Sequence, residues 1–212
     1  MTVTLLDKDI TPQWFDAAKA ARIVGMDIET SGLDRNKDRI ATIQMFVPEM
    51  GTVMVRHMDS PIYVMQLLEA RDVIKIFHHA PFDLGFLMRD YPVLPTRIAD
   101  TKVAAKVLDP KKTQFINPDN GKGSHSLLSL VWYYFEDKLD KSLAVSNWFA
   151  DDLSPAQLEY AAKDVIYLPE LLRRLELELS KKGELRLARD AYKHIPTKIE
   201  LERKNLADVY EY

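Results

Sequence analysis

The sequence predicts an α/β protein, a mixed β-sheet with helices packed on its faces. Three observations carry that prediction. Apolar runs rich in β-branched residues recur from Ile23 to Ile28, from Ile40 to Val47 and from Val73 to Phe77, each about the length of a strand. The first three expected strands follow one another across short polar connections, which implies an antiparallel meander. Beyond them, stretches with apolar residues at helical spacing alternate with strands.

In chain order, residues 1–21 offer a short strand-like start, then Thr11-Pro12 and an amphipathic stretch through Trp14, Phe15 and Ala18. Thr11 is placed to cap that helix, with Pro12 at its first position. Ile23, Val24, Met26 and Ile28 form the central strand, buried on both faces. Ser31 to Arg39 is polar and holds Gly32, as a turn requires. Ile40 to Val47 is the second strand, and Gly51 to Arg56, with Val53 and Val55 alternating, the third. A helix over 62–70 leads to the fourth strand at 73–77, a helix over 82–89 to a short fifth strand at 97–100, and a helix over 101–108 follows. Asp109 to Ser124 carries Asn117-Pro118, Asn120-Gly121, Gly123 and three lysines, and reads as a solvated loop or a basic flap over a polyanion. Ser126 to Phe135 is helical, its aromatic cluster read as packing. Ser154-Pro155-Ala156-Gln157 has the pattern of a capping box, and the helix it opens should be interrupted at Pro169. Leu187 to Tyr192 and Ile195 to Leu201 either pack on the domain or make a dimer contact.

Composition bounds the function. With 212 residues, 47% hydrophobic and 29% charged, the chain can bury a sizeable core and reads as an ordinary soluble globular protein. No apolar run approaches the roughly 18 residues of a membrane span, and no basic segment followed by an apolar one opens the chain. A cytoplasmic location is expected. The absence of cysteine excludes disulfides and thiolate metal sites. A net charge of −3 argues against strong nonspecific nucleic-acid binding but leaves room for a local basic patch.

Against that background the acids at the end of the central strand stand out. Asp27 and Glu29 flank Ile28, so strand alternation sets both carboxylates side by side on one face. Neighbouring carboxylates repel, and one keeps its proton unless a cation lies between them. A strand running out into solvent would instead make them merely polar. After the fourth strand, His78-His79-Ala80-Pro81-Phe82-Asp83 passes from strand to helix, where α/β proteins place ligands. Asp83 in that helix's first turn also suits the helix dipole. Tyr160 and Asp164, four apart, share one helical face. Each feature alone has an ordinary explanation, and the case rests on the set.

As a set, Asp27-x-Glu29, His78-x-x-x-x-Asp83 and Tyr160-x-x-x-Asp164 resemble the three exonuclease motifs of the DEDDy 3′ to 5′ exonucleases. Within that superfamily, Leu139-Asp140-Lys141-Ser142, Asn147-Trp148 and the run from Leu158 to Leu168 look most like ribonuclease D. The resemblance covers about Ile23 to Leu179. Where the histidine-type subclass has a histidine, five residues before the last aspartate, this chain has Glu159, so the resemblance is to the tyrosine type. There are two departures. His79 stands where many relatives have asparagine, and only about 30 residues follow the exonuclease region, too few for the helical nucleic-acid-binding domains of larger ribonuclease D proteins.

The resemblance implies a ribonuclease H-like three-layer fold with a mixed five-stranded sheet. It places the exonuclease domain in residues 1–180 and a helical extension, without a separate nucleic-acid-binding domain, in residues 181–212. It implies a 3′ to 5′ exoribonuclease that releases nucleoside 5′-monophosphates from single-stranded RNA 3′ ends, with DNA a further candidate and no membrane partner. Two divalent ions, Mg²⁺ or Mn²⁺, would be held by Asp27, Glu29, Asp83 and Asp164, with Asp27 bridging and Asp83 acting mainly through a coordinated water. Tyr160 would orient the attacking water, and Thr30, Leu33, His78 and Phe82 would hold the 3′-terminal nucleotide. Elementary chemistry agrees. Phosphodiester hydrolysis needs a hydroxide, charge neutralisation and leaving-group support, which two metal ions supply. Carboxylates without cysteine suit magnesium or manganese rather than zinc. Two other classes remain open on the sequence. Nothing in the motifs reads a 2′-hydroxyl, which leaves a DNA exonuclease. A catalytically silent nucleic-acid-binding domain should have lost an acid, and all four are present.

Overall fold

The computed structural model describes residues 2–209 and Glu211. In chain order its elements are β1 (Val3–Asp7), α1 (Pro12–Ala21), β2 (Ile23–Thr30), β3 (Ile40–Val47), β4 (Gly51–Arg56), α2 (Ile62–Glu69), β5 (Ile74–Phe77), α3 (Ala80–Asp90), β6 (Ile98–Asp100), α4 (Thr101–Leu108), α5 (Leu127–Phe135), α6 (Pro155–Ile166), α7 (Leu168–Lys181) and α8 (Leu185–Arg203). The strands form one sheet in the order β1-β4-β3-β2-β5-β6. β2, β3 and β4 are the antiparallel meander that their short connections require. β5 pairs parallel with β2, and β6 parallel with β5, across helical crossovers.

The sheet has six strands, not the expected five. β1 pairs parallel with β4, in register from Val3 opposite Thr52 to Asp7 opposite Arg56. Its five residues carry little alternation of their own, and the open edge of β4 is what makes them a strand.

β2 divides the core. Val24, Met26 and Ile28 point into a cluster with Trp14 and Ala18 of α1, Leu67 and Leu68 of α2, and Leu84 and Leu87 of α3. The opposite face of β2 carries Gly25, Asp27 and Glu29 and meets α6 and α7. Gly25 sets that approach: a Cβ there would stand 2.6 Å from the Val165 carbonyl oxygen. α6 can therefore lie against the strand next to its acids.

Caps and breaks largely follow the sequence. Ser154 and Gln157 exchange both capping-box hydrogen bonds at the start of α6, and α7 begins at Leu168, with Pro169 in its first turn. Thr11 is the N-cap of α1 by position, but its hydroxyl makes no capping bond; its carbonyl accepts from Trp14 and Phe15. The loop over 109–124 is folded onto the domain. The Asp109 carboxylate accepts from Thr113 and Gln114, Phe115 is buried, and Ile116 bridges Gly123. α8 packs on the domain, with Ile195 and Ile199 in the same cluster as α1 to α3. Among the described residues no helix is long and apolar enough to cross a membrane.

Candidate active site

The site lies at the end of β2. Asp27 faces Gln44 on β3, whose Nε2 donates to Asp27 Oδ2 at 2.5 Å, and Glu29 faces Thr42. A register shift between Glu29 and Thr30 ends the regular pairing, a common device for re-aiming side chains beside a site. From the other side, α6 brings Asp164, so that one carboxylate oxygen each from Asp27, Glu29 and Asp164 lie within 4.8 Å of one another. These are hard oxygen donors on two rigid elements, and they fit a divalent ion of the magnesium or manganese kind.

Asp83, buried in the first turn of α3, stands one step back. Its Oδ1 accepts from the Ile28 amide at 3.2 Å, and it is close enough to Asp27 to share a hydrogen bond. Tyr160 lies one turn before Asp164 on α6, hydrogen-bonded to that carboxylate and packed at a tilt of 44° against Trp148, with ring centres 5.8 Å apart.

The electrostatics follow from this crowding. Burial first, then the charge of Asp164, raise Asp27 to about 7. Burial, then Asp27 and Asp164, raise Glu29 to about 10. Asp83 is pushed well up, by burial and then by Asp27. Burial and Asp164 hold the Tyr160 phenol above its ordinary value, so it is a neutral hydroxyl at physiological pH and no base. Among the described residues Lys141 supplies a cation: its Nζ lies 2.7 Å from Asp164 Oδ1 and 5.1 Å from the centre of the Tyr160 ring.

The four residues expected to hold a terminal nucleotide are placed differently from one another. Leu33 is 83% exposed in the turn after β2. Phe82 is half-buried at the start of α3 and leans on Phe86, ring centres 5.1 Å apart. The Thr30 hydroxyl is used within the turn, donating to the Gly32 carbonyl at 2.6 Å. His78 holds the Thr101 hydroxyl through Nδ1 at 2.9 Å, and its Nε2 is buried. Burial keeps its pKa well below the usual histidine range, so the ring is neutral.

A family of 3′-5′ exonucleases matches residues 2–180 of this chain. The chain belongs to that family. The chain is 33% identical over 172 residues to DNA polymerase I of Aquifex aeolicus, covering 78% of this chain and 26% of that protein. To ribonuclease D of Xanthomonas oryzae it is 31% identical over 185 residues, covering 85% and 47%. It thus spans between a quarter and a half of the length of these curated relatives. Among solved structures, Brucella melitensis NrnC superposes with a TM-score of 0.85 at 28% identity, over 98% of this chain and 96% of that one. The fold is the ribonuclease H-like one of these nucleases.

Two residues of the exonuclease matter more than their sequence signal indicated. The buried Asp100 carboxylate accepts four amides, from His79 and Ala80 at the start of α3 and from Lys102 and Val103 at the start of α4. It ties both helix starts together and so positions Asp83; an aspartate at a strand-to-helix junction was the only signal. Lys141 reaches the acids from the segment between α5 and α6, which no periodicity describes. His79 occupies a left-handed backbone conformation, φ 83°, at the N-cap of α3. Asparagine and histidine are both enriched there, which explains why one can stand for the other.

Proposed function

We propose that the protein is a metal-dependent 3′ to 5′ exoribonuclease, releasing nucleoside 5′-monophosphates from the 3′ ends of single-stranded RNA in the cytoplasm. The observation that carries this reading is the convergence of Asp27, Glu29 and Asp164 within 4.8 Å. Burial makes such a cluster costly unless a cation is bound there. NrnC, at 28% identity, has been solved with bound Mg²⁺ and bound to pGG, which supports both the divalent ion and a nucleotide substrate. The ribonuclease D relatives support RNA.

When bound, a pair of Mg²⁺ or Mn²⁺ ions would make water acidic enough to attack and neutralise charge on the phosphoryl oxygens. Asp27, Glu29 and Asp164 would hold them, with Asp27 shared, and Asp83 would contribute from behind through water. The Tyr160 hydroxyl orients the attacking water, its ring fixed by Trp148 and its protonation by burial. Leu33 and Phe82 grip the terminal base by apolar packing, backed by Thr30 and His78. Residues 1–180 carry the activity, and the extension over 181–212 braces α3 and α4 through α8 rather than forming a separate nucleic-acid-binding unit.

The test uses matched 5′-labelled single-stranded RNA and DNA with Mg²⁺, with Mn²⁺ and with chelator. The expected result is a metal-dependent ladder shortening from the 3′ end, faster on RNA. Faster loss of DNA would reassign the substrate, and no cleavage under any metal would overturn the reading.

A further inference from the structure

Beside the acids, on the same end of the sheet, opens a groove of about 720 Å³. Strand pairing fixes its place. Ile40 at the start of β3 faces Thr30, next to Glu29, and Arg39 precedes it. Arg56 ends β4 opposite Thr42, and Lys8 follows the end of β1. With strands about 4.8 Å apart, the groove starts on β3, one strand from the acids, and its far end at β1 lies roughly 14 Å along the sheet end from β2.

Its lining departs from the rest of the molecule. The chain as a whole is acidic, at −3, yet the groove presents Lys8, Arg39, Arg56 and Arg89 against two carboxylates, Asp59 and Asp90. Asp90 is already taken by Arg89, and Arg56 is held by Asp7. Lys8 and Arg39 are exposed and, among the described residues, have no carboxylate partner. The Arg39 guanidinium lies 5.1 Å from the centre of the Phe149 ring, which is 43% exposed. An exposed aromatic ring with cations that lack carboxylate partners along one track is the combination that binds a nucleic-acid strand without reading its sequence. The groove also joins the site physically. Its wall residue Trp148 packs at a tilt against Tyr160, and Ala41, Trp148 and Tyr160 belong to one buried cluster.

We propose that this groove is the track for the strand on the 5′ side of the scissile linkage, with Arg39 and Lys8 on its phosphates and Phe149 under a base. The proposal rests on the exonuclease reading above. At about 3.4 Å per stacked nucleotide, roughly 14 Å holds some four nucleotides, so a dinucleotide would reach the acids without using the far end.

The experiment compares the wild-type chain with the double variant Lys8→Ala/Arg39→Ala on a diribonucleotide without a 5′-phosphate, which has no phosphate on the 5′ side of the scissile one, and on a single-stranded hexaribonucleotide. Both replaced side chains are exposed, and a thermal melt checks that the fold is kept. The expected result is unchanged kcat/KM on the dinucleotide and about a tenfold fall on the first cleavage of the hexanucleotide, carried by KM. The salt dependence of hexanucleotide cleavage should also become shallower by about one to two in log-log slope. If the wild type cleaves both and the variant's ratio between them is unchanged, the groove is not the track while the exonuclease stands. If the wild type cleaves neither, both readings fall.

Discussion

Asp27 is hydrogen-bonded to Gln44 on one strand and to Asp83 behind it, and faces the like charge of Asp164 on a helix. Its ionisation is opposed by burial and by Asp164, so Asp27→Asn relieves repulsion while removing a ligand. The variant should lose activity by at least about 10²-fold and melt, in chelator, no lower than wild type. An active Asp27→Asn protein would remove the proposed site. Tyr160→Phe keeps the ring on Trp148 and takes only the hydroxyl. It should lower kcat by roughly 10²-fold with KM little changed, the signature of a group that positions rather than binds. Lys141→Met removes the cation beside Asp164. The metal-free protein should melt lower and gain more from added Mg²⁺, because the ion no longer competes with an ammonium. Differential scanning of both states checks it, and equal Mg²⁺ gains would show that Lys141 and the metal do not share Asp164. Strand and helix periods paired Asp27 with Glu29 and Tyr160 with Asp164, and the resemblance to the exonuclease motifs joined those pairs and Asp83 into one site. Lys141 was not legible, since its position depends on how an irregular segment crosses the surface, and Asp100 showed only as a cap while it serves two helices.

At the level of elements, the site depends on how closely α6 lies to β2. Gly25→Ala would put a methyl group 2.6 Å from the Val165 carbonyl, and a backbone atom cannot swing aside as a side chain does. The helix must move, carrying Asp164 with it. The expected cost is about 1–3 kcal/mol in urea unfolding, with a loss of activity larger than the lost stability explains. Activity at wild-type level would mean that the three carboxylates tolerate the shift. The central meander and the helices were readable because alternation, helical spacing and proline left clear marks. β1 was legible as a strand-like start but was not counted in the sheet, because its place at the edge depends on pairing with β4. The loop over 109–124 reads as irregular from its Asn, Gly and Pro content, which is silent about the Asp109 bonds and the buried Phe115 that fasten it.

Across the whole molecule, the acid cluster links stability, pH and metal. Glu29 has a folded pKa raised to about 10 against an ordinary 4.5, so the folded chain keeps a proton that the unfolded chain gives up. Its contribution to stability is present at low pH and is lost as pH rises through that interval. Asp27, raised to about 7, adds the same sign over a narrower range. Burial lowers His79 to about 4 and Lys75 to about 7, and these groups act in the opposite direction over part of the interval. Subtracting Glu29→Gln from wild type cancels them. In chelator, the wild-type melting temperature minus that of Glu29→Gln should therefore become more negative from pH 6 to pH 9. With Mg²⁺ present the trend should reverse, because deprotonated ligands bind the ion better as pH rises and binding to the folded state stabilises it. A difference that stays flat in chelator would mean that Glu29 is ionised in the metal-free protein. A trend that Mg²⁺ leaves untouched would mean that the cluster holds no ion.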